Sequence, residues 1–154
     1  MKNIVIVDVD GTISKVGNRL VYLQTEPKDW DAFYEACFED EPIIEMCKLV
    51  QSLEASGWVI YFCTGRRESV RNQTALWISK NVFNNSIIDS EITKHLIMRP
   101  DGDFRHDIEI KPEQLKLAGI KLEDIAFILE DRNTMVEKWR ELGIRCLQVA
   151  DGDF

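Results

Sequence analysis

Five short apolar runs alternate with helical segments along this chain, and that alternation limits its fold more than any other feature. The runs at 3–9, 58–63, 96–98, 125–129 and 146–149 are almost unbroken, as strands covered on both faces are. Punctuation marks the helices between them. Pro42 stands where a first helical residue belongs, Ile43, Met46, Cys47, Val50 and Leu53 recur at helical spacing, and Gly57 follows as a stop. Pro112 and Gly119 bracket a shorter helix, while Met135, Val136, Trp139 and Leu142 line one face of a last helix ending at Gly143. Strands alternating with helices predict an α/β fold in three layers, a parallel sheet with helices on both faces.

With 154 residues the chain fits a single domain, 1–154, with a sizeable core. The segment 13–40 breaks the rhythm. It begins loop-like, then offers a short helix with Trp30, Phe33, Tyr34, Cys37 and Phe38 on one face. About 30 residues are too few for a second core, so it reads as a small flap or cap. Its aromatic stripe reads as packing before it reads as a base-stacking platform. No apolar run approaches the ~20 residues of a membrane span. The start MKNIVIVD reads as a strand and not as a signal peptide. Cys37, Cys47, Cys63 and Cys146 are scattered among apolar neighbours, as expected of buried thiols in a reducing, cytoplasmic compartment. Two lone histidines suggest no zinc site. A net charge of −8 argues against a broad surface that coats nucleic acid, but leaves room for one phosphate or one strand end at a local arginine cluster.

Ligands of such sheets bind beyond the carboxyl ends of the strands. Asp8, Thr64 and Glu130–Asp131 all fall there. Asp8 and Asp10 lie two residues apart and so point to one side, with Asp131 joining from another strand. Clustered carboxylates at the edge of a core need a cation. Oxygen-only ligands suit Mg²⁺. Thr64, Gly65 and Arg66 follow a buried strand and offer a hydroxyl, free backbone N–H groups and a guanidinium, a set suited to phosphate. Arg99 ends the next strand and can face the same pocket or solvent. Lys111 sits just before Pro112 at a helix start, where it offsets no helix dipole, which hints at function.

The DVDGT stretch, a strand ending in Thr64, then Lys111, then Glu130–Asp131 together resemble the haloacid dehalogenase (HAD) phosphohydrolase superfamily. That resemblance implies a Rossmann-like HAD domain with Asp8 as nucleophile and Asp10 as general acid and base. Thr64 and Lys111 would hold phosphoryl oxygens, and Mg²⁺ would bind Asp8, Asp131 and the backbone carbonyl of Asp10. A second aspartate favours phosphatase over dehalogenase chemistry. More narrowly, TGRRE, the spacing of Arg99, Arg105 and Lys111, and EDRNTMVEKWRELGIRCLQVADGDF resemble bacteriophage-type polynucleotide 3′-phosphatase domains. By that resemblance Arg66, Arg99 and Lys111 surround the phosphate of a strand terminus, while Arg132 and Trp139 pack and cap the last helix. Glu130 departs from that pattern, which has an aspartate there. No G-x-x-x-x-G-K-[ST] phosphate loop occurs, so a stand-alone phosphatase is expected, acting on 3′-phosphate ends of DNA or RNA or on 3′-nucleotides, with any kinase or ligase a separate partner. A small-molecule phosphatase, such as a 5′-nucleotidase or sugar phosphatase, is the alternative within this class. A phospho-accepting receiver module is the alternative outside it, although a receiver carries its phosphorylated aspartate after a central strand.

Overall fold

The computed structural model describes residues 1–153. Five parallel strands form one sheet: β1 (Ile4–Val7), β2 (Val59–Arg67), β3 (Leu96–Arg99), β4 (Ile125–Glu130) and β5 (Cys146–Gln148), in the order β3-β2-β1-β4-β5. Its helices are α1 (Trp30–Glu35), α2 (Ile44–Ala55), α3 (Arg71–Asn81), α4 (Ser90–Lys94), α5 (Asp107–Leu117) and α6 (Asn133–Glu141). The expected α/β architecture is present, with helices on both faces.

Strand alternation in β1 builds the two layers. Val5 and Val7 point into a core with Cys47 and Val50 of α2 and Trp77 and Ile78 of α3. Ile6, between them, points into the opposite core with Leu115 of α5 and Met135, Val136 and Trp139 of α6. Each such aliphatic side chain contributes about 1.5–3 kcal/mol by burial. Because β1 is central, the chain turns one way to β2 and β3 and the other way to β4 and β5. The strand order therefore reverses between β1 and β4, where their carboxyl ends open a crevice. Asp8 and Asp131 follow directly on these two strands.

Three local expectations need correction. Strand β2 runs on through Thr64 to Arg67, with its register to β3 shifting between Cys63 and Arg67. Helix α5 begins at Asp107, so Lys111 and Pro112 lie inside it; the ring removes one backbone donor within the helix. Pro42 precedes α2 by two residues, and its carboxyl-terminal neighbour Ile43 occupies the cap position without a side-chain cap. Gly57, Gly119 and Gly143 follow helix ends as expected, with φ of +93°, +77° and +78°. Among the described residues no helix is long and apolar enough to cross a membrane.

Candidate active site

Three carboxylates meet at the crevice. Asp8, Glu130 and Asp131 are all buried and offer oxygens within 4.8 Å of one another. Lys111 projects from α5 between two of them, its Nζ donating to Asp8 Oδ1 at 2.6 Å and to Glu130 Oε2 at 2.9 Å. Glu130 also uses Oε1 to accept the backbone N–H groups of Asp131 and Arg132, at 3.2 and 3.3 Å. It thus anchors both the lysine and the turn that presents Asp131. The Thr12 hydroxyl lies 3.0 Å from Asp8 Oδ2 and 3.4 Å from Asp131 Oδ1, bridging the other side. Gly11 makes this closeness possible. Its φ is +86°, and a Cβ there would sit 2.1 Å from Asp131 Oδ2.

One ammonium does not neutralise this cluster. Burial, followed by the charge of Glu130, pushes the Asp8 carboxyl up to about 7, even though Lys111 pulls the other way. Burial and Asp8 push Asp131 up to about 6. Lys111 itself stays firmly protonated, because Asp8 and Glu130 outweigh the burial that disfavours its charge. Excess negative charge on hard oxygen donors fits a small divalent cation such as Mg²⁺.

Asp10 stands apart from these three. Its side chain is 26% exposed and is gripped by two guanidiniums: Arg66 Nη2 at 2.7 Å and Arg19 Nη2 at 2.6 Å. Burial would raise its pKa, but the two arginines win and hold it below the usual carboxylate range. Both arginines are buried and share a second anion, Asp40, with Arg19 Nε at 2.7 Å and Arg66 Nη2 at 3.0 Å. Ser14 completes the group by donating to Asp40 Oδ2 at 2.7 Å. Arg66, expected to bind phosphate, has no exposed surface and gives its side-chain donors to Asp10, Asp40, Ser14 and Thr74.

Arg99 is committed as well. It donates to the carbonyls of Gly65 (3.0 Å), Asp103 (3.0 Å) and Arg105 (2.6 Å) and pairs with Asp107. Asp107 also receives Arg132 Nη1 at 3.1 Å, so Arg132, expected only to cap α6, reaches the site. Trp139 is in the core, as expected. Gly65 passes under Asp107 so closely that a Cβ would lie 2.6 Å from its Oδ1. Together Asp8, Asp10, Thr64, Gly65, Asp107, Lys111, Glu130, Asp131 and Arg132 line a cavity of about 30 Å³. Thr64 is buried there, its Oγ1 accepting the Arg66 backbone N–H at 3.2 Å.

Residues that the sequence analysis missed are Thr12, Arg19, Asp40 and Asp107. Asp107 had a signal, since it lies four residues before Lys111 and shares its helix face. Arg19 and Asp40 had none, because Arg19 lies in a short 3-10 helix and Asp40 just after another, neither with a sequence pattern that marks a partner.

The family described as the polynucleotide kinase PNKP phosphatase domain matches residues 2–154. The chain belongs to that family. It is a HAD-type phosphatase, and the receiver alternative falls away. The structure of a Pnkp1/Rnl/Hen1 RNA repair complex contains a chain 29% identical, with a TM-score of 0.74, over 97% of this chain and 43% of that one. A second Pnkp1/Rnl/Hen1 structure matches at 29% identity and a TM-score of 0.74, over 100% and 48%. This chain thus spans less than half the length of those relatives. A haloacid dehalogenase-like hydrolase from Streptococcus pneumoniae shares the fold at 16% identity and a TM-score of 0.57, over 95% and 83%.

Proposed function

We propose that this chain is a Mg²⁺-dependent phosphomonoesterase that removes 3′-phosphates from polynucleotide ends or 3′-nucleotides through an aspartyl-phosphate. The observation carrying the reading is the crowding of Asp8, Glu130 and Asp131 around Lys111 at the strand-order reversal, in a chain of the PNKP phosphatase family. In this reading 1–154 is one phosphatase domain and 13–40 is a small cap over its site.

Asp8 attacks phosphorus, and the bond to the substrate's oxygen breaks as the aspartyl-phosphate forms. Lys111 and the backbone N–H groups around Thr64 and Gly65 bind the phosphoryl oxygens, and Thr12 orients the nucleophile. Asp10 protonates the departing oxygen, then accepts a proton from the water that attacks phosphorus, releasing phosphate and restoring Asp8. Acid work requires Asp10 to leave at least one of its guanidiniums, since together they hold it ionised. Arg66 and Arg19 thus position Asp10, and Arg99 positions Gly65 and Asp107. Asp8 and Asp131 would hold the Mg²⁺ with the Asp10 carbonyl, and Glu130 would act from behind Lys111. When bound, the ion neutralises the carboxylates and draws charge from the phosphoryl oxygens.

The 3′-end preference is supported by the family and by the occurrence of the Pnkp1 relatives in an RNA repair complex. We place the chain in end repair in the cytoplasm, working with kinase or ligase activities. The test is phosphate release from matched 3′- and 5′-phosphorylated oligonucleotides and mononucleotides, with Mg²⁺ and with excess chelator. Faster release from 3′ ends, lost in chelator, is expected. Equal release from both ends, or preference for a small metabolite ester, would favour the small-molecule alternative.

A further inference from the structure

Beside the catalytic cavity lies a second one of about 140 Å³, between α1 and the 100–106 loop, lined by Trp30, Tyr34, Arg67, Arg99, Phe104 and the Asp103–Arg105 ion pair. The aromatic stripe of α1 divides there. Phe33 is buried beneath Arg19, whose guanidinium lies 4.5 Å from its ring centre. Trp30 and Tyr34 instead stack on each other, with centres 6.2 Å apart and planes 27° from parallel, and Trp30 remains 42% exposed. Opposite them Phe104 is 81% exposed. Arg67 lies between the two sides, its guanidinium 4.9 Å from the Tyr34 centre and 5.7 Å from the Phe104 centre, with Nη1 donating to Asp31 at 2.8 Å. Single exposed apolar residues need no explanation. Three aromatic rings and a guanidinium gathered around one open cleft do, because Tyr34 already packs α1 against the core while Trp30 and Phe104 stay exposed.

Arg99 links this cleft to the catalytic cavity. It lines the cleft and donates to the Gly65 carbonyl and the Asp107 carboxylate, both of which line the catalytic cavity. Arg67 lies three residues beyond Thr64 on the same strand. We infer that the cleft binds the nucleobase of the nucleotide that carries the 3′-phosphate, stacking it against Trp30, Tyr34 and Phe104 with Arg67 as the cationic partner. The inference rests on the 3′-phosphatase reading and adds the recognition of the terminal base. Every base has a π-face, so such a platform is tolerant of sequence.

The test compares three substrates in Mg²⁺: a 3′-phosphorylated single strand, the same strand with an abasic terminal nucleotide, and a small aryl phosphate. Stacking of one base predicts an efficiency (kcat/KM) roughly fivefold to a hundredfold higher for the base-bearing end than for the abasic end, mostly through KM. In Trp30→Ala and Phe104→Ala that ratio should shrink toward one. Phe104 is so exposed that its replacement leaves the core untouched, which keeps the test valid if the Trp30 variant folds poorly. Equal efficiencies on base-bearing and abasic ends in the wild-type protein would overturn the inference while leaving the 3′-phosphatase reading standing. Hydrolysis of the aryl phosphate with no release from either oligonucleotide would overturn both.

Discussion

Replacing Arg19 by alanine should both loosen the fold and raise the pKa of Asp10. Arg19 is 1% exposed and donates to Asp40 through Nε and Nη2, each at 2.7 Å, to Asp10 at 2.6 Å and to the Phe33 carbonyl at 3.1 Å. Its removal leaves Asp40, equally buried, with Arg66 and Ser14 as its remaining partners. Breaking one side of a buried ion pair costs about 3–5 kcal/mol. Arg66 remains to offset part of the charge, so the lower end is the expectation, about 3 kcal/mol. For a domain of this size each kcal/mol moves Tm by about 2–4 °C, which predicts a fall of roughly 6–12 °C in a thermal scan. The pKa of Asp10 should rise as one of two opposing cations disappears, moving the pH–rate profile upward. Arg19→Lys restores charge without the planar fork and should recover stability only in part. A variant that melts within ~2 °C of the wild type and keeps its pH–rate profile would refute the role assigned to this buried network.

Asp10→Asn should fold with reduced stability, since two buried guanidiniums lose one of their two anions, and should lose ~10²–10⁴ in turnover, the usual size of a general acid–base effect, measured by phosphate release. In metal-free protein Asp8 and Asp131 titrate near 7 and 6, above their unfolded values. Their contribution to stability is full below about pH 4 and is lost as pH rises through 6 to 7. Calorimetry in chelator should therefore show this contribution falling toward neutrality, and Mg²⁺ should raise Tm more at pH 8 than at pH 5. A magnesium effect independent of pH would count against the carboxylate cluster as its site. Gly65→Ala places a Cβ 2.6 Å from an Asp107 carboxylate held by Arg99 and Arg132, so the strand end must shift. A cost of about 1–3 kcal/mol and reduced turnover are expected in denaturation and activity assays.

The sheet was legible because its strands are buried on both faces and read as continuous apolar runs. Helix α3 was not. Its buried side chains include Thr74, Ala75 and Ser79 beside Trp77 and Ile78, so small and polar residues interrupt any apolar stripe. Of the site, the strand ends were legible, since Asp8, Thr64 and Asp131 each follow an apolar run. Which anion an arginine meets was not. Arg66 directly follows Thr64-Gly65 in sequence, yet its charge is consumed by Asp10 and by Asp40, 26 residues away along the chain. Pairing across such distances depends on how the 13–40 segment folds back, which no local pattern encodes.

The central claim is that the carboxylate of Asp8 accepts the phosphoryl group. Rapid acid quench during turnover of a 3′-phosphorylated oligonucleotide, followed by peptide mass spectrometry, tests it directly. The account predicts a phosphoryl group on the peptide carrying Asp8, formed and lost at rates matching turnover, and absent from a folded but inactive Asp8→Asn. A phosphoryl group on a different residue, or full turnover by Asp8→Asn, would contradict it.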